Sequence, residues 1–175
     1  MSTRDRADWI LTYTGRQFYP LNPKADEIDI EDIAHALAAI NRYNGHSRLP
    51  ISVAQHSVMV SHRVPKADAL WGLLHDAAEA YLGDCVSPLK HHTSYGRDYQ
   101  IHEGRLMAAI CHKFGLPLTC PHSVLRADHE QLQEEWKWLM DPEKRFTFKG
   151  SVETWEFYKA RSEFMDRFLE LTREH

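Results

Sequence analysis

Between Leu73 and Asp84 the chain reads Leu-Leu-His-Asp-Ala-Ala-Glu-Ala-Tyr-Leu-Gly-Asp. An adjacent His and Asp, with Glu79 and Asp84 close behind, sit among leucine, alanine and tyrosine. Ionisable side chains in an apolar helix cost several kcal/mol to bury unless something compensates them. A divalent cation is the usual compensation, because neutral imidazole and ionised carboxylate are natural nitrogen and oxygen donors. The run reads as half of a metal site, so the fold must bring further ligands to this helix from elsewhere in the chain.

Most of the remaining sequence is also helical in pattern. Trp9–Tyr13 and Arg16–Pro20 are β-prone runs on either side of Thr14-Gly15 and predict a small hairpin. Asp29 caps a helix with apolar positions at Ile33, Leu37 and Ile40, stopping near Asn44-Gly45. Ser52-Val53-Ala54-Gln55 has the form of a capping box, and the second helix it opens ends before Pro65. A third helix runs from about Lys66 to Leu82 with Gly83 as its stop, and Pro88 breaks the chain in the loop beyond. A fourth covers about Asp98 to Phe114 and a fifth about Ser123 to Met140. The stretch 141–150 reads as a loop with an extended piece around Arg145 to Phe148. The last helix, about Val152 to Thr172, carries Trp155, Tyr158, Phe164, Phe168 and Leu171 as a stripe for core or oligomer contact.

The expectation is an all-α protein, one domain over residues 1–175, built as a compact bundle of about six helices. Its core spans about 29–140, with a hairpin at about 9–20 and a C-terminal helix at about 152–172. A chain of 175 residues with 43% apolar side chains can bury a proper core. Its 21 basic and 25 acidic residues leave a net charge of −4, so no broad cationic surface is implied and no nucleic-acid polymer is expected. One pocket for a small phosphate-bearing ligand needs only a few Arg and Lys. No apolar run approaches the length of about 20 residues that spans a bilayer, so no membrane partner is expected. The polar start, Met1 to Asp8, does not read as a signal peptide. Cys85, Cys111 and Cys120 lack metal-motif spacing and fit a reducing cytoplasm.

Three helices offer plausible ligands: His56 from the helix capped by Ser52, His75 and Asp76 from the third, and Asp128 from the fifth. Each alone has a bland reading as a paired or exposed polar residue; the joint pattern is stronger. Two His and two carboxylates suit one divalent ion of the Mn, Co, Mg, Zn or Fe kind and leave positions for water and substrate.

The pattern His56, His75-Asp76, Asp128 resembles the HD-domain metal-dependent phosphohydrolase superfamily. Within it, His75-Asp76-Ala-Ala-Glu79-Ala-Tyr-Leu-Gly83-Asp84 followed by Ser87-Pro88-Leu89-Lys90 is similar to the bacterial 5′-deoxynucleotidases and related phage and bacterial deoxynucleotide phosphohydrolases. Asn41-Arg42-Tyr43, with Arg42 fourteen residues before His56, fits the same subgroup. The resemblance spans about Ile33 to Leu139. It implies that His56, His75, Asp76 and Asp128 hold one divalent ion. It further implies that Glu79 manages protons around the attacking water and that Arg42 contacts the phosphate. Tyr43, where the family often has Trp, would lie beside the sugar, and Asp84 near the sugar and leaving group. The interval from His56 to His75 is shorter than in those nucleotidases.

Lys90 is a further candidate for phosphate, and His46 and Arg48 for the pocket mouth. The expected reaction is hydrolysis of the 5′ phosphate ester of a nucleotide, releasing nucleoside with either phosphate or triphosphate. Two other readings stay open. One is an HD-type di-iron oxygenase drawing on His91, His92, His102, His112 or His122, which are otherwise expected at the surface. The other is a non-catalytic nucleotide- or metal-binding module. A homodimer or higher homo-oligomer is the expected assembly.

Overall fold

The computed structural model describes residues 8–140 and 153–173. The chain is mostly helical, with a two-stranded antiparallel hairpin at its start. The hairpin pairs β1 (Ile10–Leu11) with β2 (Gln17–Phe18) in the register Ile10–Phe18 and Leu11–Gln17. Buried Asp32 fastens it to the bundle, accepting from the Thr14 backbone N–H at 2.7 Å and from its hydroxyl at 3.0 Å.

The capping residues work as expected. Asp29 accepts from the Glu31 N–H at the start of α1 (Ile30–Ala39), and Ser52 accepts from the Gln55 N–H at the start of α2 (Val53–His62). Helix α1 ends earlier than the expected Asn44-Gly45, because Ile40 turns extended. The backbone groups beyond it find partners across the chain: Val53 N–H donates to Ile40 O at 3.0 Å, and Arg42 N–H to Ile51 O at 2.9 Å. A tight turn over Arg42–Gly45 follows, with Tyr43 and Asn44 both at left-handed φ, 57° and 50°.

The expected third helix, Lys66 to Leu82, is divided. A 3₁₀ turn over Lys66–Asp68 leads into α3 (Ala69–Leu74), and α4 (Glu79–Leu82) follows a tightened stretch. There Ala77 N–H donates to Leu74 O and Glu79 N–H to Asp76 O, each three residues back. Three residues per turn brings positions i and i+3 into line. Glu79 therefore follows Asp76 along the helix, rather than sharing a face with His75 as four-residue spacing predicts.

Pro88 does not break a loop. It lies in the first turn of a short helix, α5 (Ser87–His92), where a missing N–H costs nothing. The next helix, α6 (Ser94–Phe114), starts earlier than the expected Asp98, capped by the Thr93 hydroxyl. A Cβ on Gly96 would lie 2.2 Å from the carbonyl oxygens of Leu89 and Lys90, so glycine permits the α5–α6 elbow. Helix α7 (His122–Glu135) runs on as a π turn through Trp136–Met140, and α8 (Phe157–Thr172) starts after the expected Val152, with Trp155 preceding it. The expected loop over 141–150, its extended piece and Val152 lie outside the described residues.

Helix α2 is the central element, packed on α1, α3, α7 and α8. Ile33, Leu37, Val53, Leu73, Leu74, Leu106, Ile110 and Phe164 are all fully buried in the main cluster. A smaller cluster, with Val60, Trp71, Cys111, Val124 and Ala127, joins α2 and α3 to α6 and α7. Of the C-terminal stripe, Phe164 enters the core and Phe168 and Leu171 pack against it, whereas Tyr158 is exposed. No helix among the described residues is long and apolar enough to cross a membrane.

Candidate metal centre

Helices α2 and α3 approach closely where Gly72 faces Ser61: a Cβ at Gly72 would lie 3.1 Å from the Ser61 Cα. That approach brings His75, just beyond α3, to His56 on α2, with ring centroids 5.3 Å apart. His56, His75 and Asp76 each offer a ligand atom within 4.8 Å of the others. Asp128 on α7 joins them, its Oδ1 lying 3.0 Å from His56 Nε2 and 3.9 Å from His75 Nε2. Of the four expected ligands, three thus form one group, from α2 and the α3–α4 junction, and Asp128 of α7 lies against its two histidines.

Both rings are oriented from behind. His75 Nδ1 donates to Gly72 O at 2.8 Å, and His56 Nδ1 donates to the Glu135 carboxylate at 2.7 Å. Each Nε2 is thereby turned toward the cluster, the arrangement that metal-ligating histidines generally show. His75 Nε2 is buried and lies 3.2 Å from the Asp76 Oδ2 carboxylate oxygen. Spacings of about 3 Å between these donor atoms suit a shared cation: two ligands each about 2.1 Å from one ion at right angles are about 3 Å apart. The residues present fit a divalent metal.

The electrostatics point the same way. Burial by itself would raise the Asp76 pKa, but His75, His56 and Arg42 hold it well below the usual carboxylate range. Burial would lower that of His75, yet Asp76 and Asp128 outweigh it and raise it to about 8. Asp128 is likewise held down, against its burial, by its hydrogen bond to His56 and the charge of His75. Glu79 goes the other way: burial, then the charges of Asp76 and Asp84, push it up to about 9. Its Oε2 is buried without a hydrogen-bond partner.

Arg42 reaches the cluster from the strained turn, with Nη1 3.8 Å from Asp76 Oδ2 and Nε donating to Glu135 Oε2 at 2.8 Å. Tyr43 donates its hydroxyl to the same oxygen at 2.9 Å. Asp84 is exposed at the rim, where burial and Asp76 raise its pKa despite Arg42 and Lys90. Lys90 is not a free solvated lysine: it pairs with Glu103 at 2.8 Å and lies over the Tyr99 ring. His46 is exposed, with no hydrogen bond or ion pair to the cluster among the described residues. Arg48 is tied through its backbone N–H to Leu139 O. His91, His92, His112 and His122 are exposed, and His102 is half-buried.

A cavity of about 380 Å³ is lined by His75, Asp76 and Asp128 together with Trp71, Met107, Val124, Lys90 and Glu103. A second, of about 330 Å³, lies behind Glu135 between Trp138 and Trp155. Its lining includes none of His56, His75, Asp76 and Asp128.

Sequence reasoning missed Glu135 and Gln131. The buried positions of α7, Val124, Ala127, Gln131 and Glu135, recur at helical spacing, so polar residues continuing an apolar face were the available signal.

Fold and cluster together define a helical protein with a His/Asp site able to hold a metal ion. Over 127 residues the chain is 40% identical to the uncharacterized protein YfdR of Escherichia coli strain K12, covering 73% of this chain and 70% of that protein. It belongs to the same family as YfdR. It is also 38% identical over 128 residues to an uncharacterized protein of Rhodobacter capsulatus, covering 68% of this chain and 64%, less than two thirds, of that relative's length. No family model matches the chain.

Proposed function

We propose that the protein is a metal-dependent phosphohydrolase of the HD type, cleaving the 5′ phosphate ester of nucleotides or deoxynucleotides. The observation that carries this reading is the grouping of His56, His75 and Asp76, with Asp128 against both histidines, Arg42 paired to Asp76, and the buried Glu79 carboxyl left without a hydrogen-bond partner three residues after Asp76. A divalent ion held by His56, His75, Asp76 and Asp128 would supply a more acidic water and neutralise phosphoryl charge.

The chain's own groups do the rest. The Arg42 Nε is committed to Glu135 and its Nη1 lies 3.8 Å from Asp76 Oδ2, so the guanidinium is held in a fixed orientation beside the cluster, where it would bind phosphoryl oxygens. Glu79 holds its proton near neutral pH, so it can deliver one to the leaving 5′ oxygen and take one from water in return. The bond from phosphorus to the 5′ oxygen breaks, and water oxygen replaces it. The Tyr43 hydroxyl is occupied by Glu135, so its ring is what a sugar would meet. Lys90, which lines the same cavity as His75 and Asp76 and is paired with Glu103, would meet a second anionic group of the substrate. Most of the acceleration would come from positioning and charge neutralisation.

The natural partner in this reading is a small nucleotide in the cytoplasm, and the assembly a homodimer or larger homo-oligomer. Asp76→Ala tests the reading: metal content and phosphatase activity should both be lost. Full retention of both would refute it.

A further inference from the structure

Glu135 is 2% exposed, and every hydrogen bond it accepts is accounted for. Oε1 takes His56 Nδ1 at 2.7 Å and Gln131 Nε2 at 3.1 Å. Oε2 takes Arg42 Nε at 2.8 Å and the Tyr43 hydroxyl at 2.9 Å. One carboxylate therefore grips a metal-ligand histidine with one oxygen and the arginine turn with the other. That turn needs a grip, because Tyr43 and Asn44 both hold left-handed φ, a conformation strained for a tyrosine. The elements joined, α2, α7 and the 42–45 turn, are distant in sequence.

We propose that Glu135 is a positioning residue that sets the metal site and the phosphate-binding arginine together, through its two oxygens. It touches neither metal nor substrate. Its Oε1 fixes His56 with Nε2 toward the cluster; its Oε2 fixes the guanidinium plane beside Asp76. An amide cannot replace it, since glutamine has one acceptor oxygen for two sets of donors. Aspartate cannot either, because the shorter side chain reaches one set at a time.

The inference rests on the metal-dependent phosphate chemistry proposed above, but its test needs no turnover. Mn²⁺ affinity is measured by competition with a fluorescent chelator, and inorganic phosphate affinity by calorimetry on the Mn²⁺-saturated protein. Glu135→Gln should weaken Mn²⁺ about 10–100-fold, the usual effect of losing a histidine's carboxylate partner. At saturating Mn²⁺ it should also weaken phosphate about tenfold. Arg42→Ala should weaken phosphate and leave Mn²⁺ within about twofold. Glu135→Asp keeps the charge and serves if the glutamine variant does not fold; it should still lose one affinity or both.

Loss of Mn²⁺ affinity alone in Glu135→Gln would reduce Glu135 to a partner of His56 and overturn the proposal. So would full rescue of both affinities by Glu135→Asp. A wild-type protein that binds none of Mn²⁺, Co²⁺, Mg²⁺, Zn²⁺ and Fe²⁺ overturns the functional reading and the bridge together. One that binds Mn²⁺ and phosphate while ignoring Glu135→Gln overturns the bridge alone.

Discussion

Replacing Glu79 with glutamine measures what it costs to charge a carboxyl in this site. Glu79 is 8% exposed, and burial with the charges of Asp76 and Asp84 pushes it from 4.5 up to about 9. In the unfolded chain it titrates near 4.5. Between those values the native protein holds a proton that the unfolded chain has released. Stability therefore falls as pH rises through that window, by up to about 1.4 kcal/mol per pH unit. Below it both states are protonated, and above it the penalty is constant. From about pH 5 to about pH 8 the ceiling is about 4 kcal/mol, which local relaxation and the solvent at the Asp84 rim reduce to about 1–3 kcal/mol. Glutamine has the shape of the neutral acid and carries no charge at any pH. Urea unfolding of both proteins with chelator present should show Glu79→Gln gaining about 1–3 kcal/mol on wild type between those pH values. A difference independent of pH, or one that favours wild type more at high pH, would refute the reasoning.

Three further outcomes follow from the same structure. Phe164→Ala should cost about 3–5 kcal/mol by denaturant unfolding, because the ring is fully buried between α8 and the core. Ser52→Ala should cost about 1 kcal/mol, since its hydroxyl caps α2 one turn before His56, and should weaken metal binding less than His56→Ala does. Mn²⁺ at about 100 times its dissociation constant should stabilise wild type by about 2.7 kcal/mol in thermal unfolding, and Asp76→Asn should abolish that shift.

Much of the architecture was legible because its signals are local. Asp29 and Ser52 mark helix starts by side-chain oxygens that reach only two or three residues along the chain, and both caps form. Helix ends were less legible. Ile40 leaves α1 because its carbonyl has a partner in Val53, thirteen residues on, which no local rule detects. The division at His75–Ala78 is similar: alanine and leucine favour an unbroken helix, and only tertiary placement of His75 and Asp76 opposes it.

The four candidate ligands were picked by their residue types and the family resemblance; the structure groups His56, His75 and Asp76 and sets Asp128 against the two histidines. Glu135 was hidden for the opposite reason. Among the described residues its carboxylate has one hydrogen-bond partner nearby in sequence, Gln131, and its importance comes from Arg42, Tyr43 and His56, which lie 93, 92 and 79 residues earlier. A buried Glu on an otherwise apolar face was visible in principle, but its partners were not.

The most direct test of the account is product analysis. The protein is stripped with chelator, reloaded with Mn²⁺, Co²⁺, Mg²⁺ or Zn²⁺, and given ribo- and deoxynucleoside mono- and triphosphates. The account predicts metal-dependent release of free nucleoside, with phosphate from a monophosphate or intact triphosphate from a triphosphate. No nucleoside from any nucleotide with any of the metals, in protein shown to bind them, would contradict it.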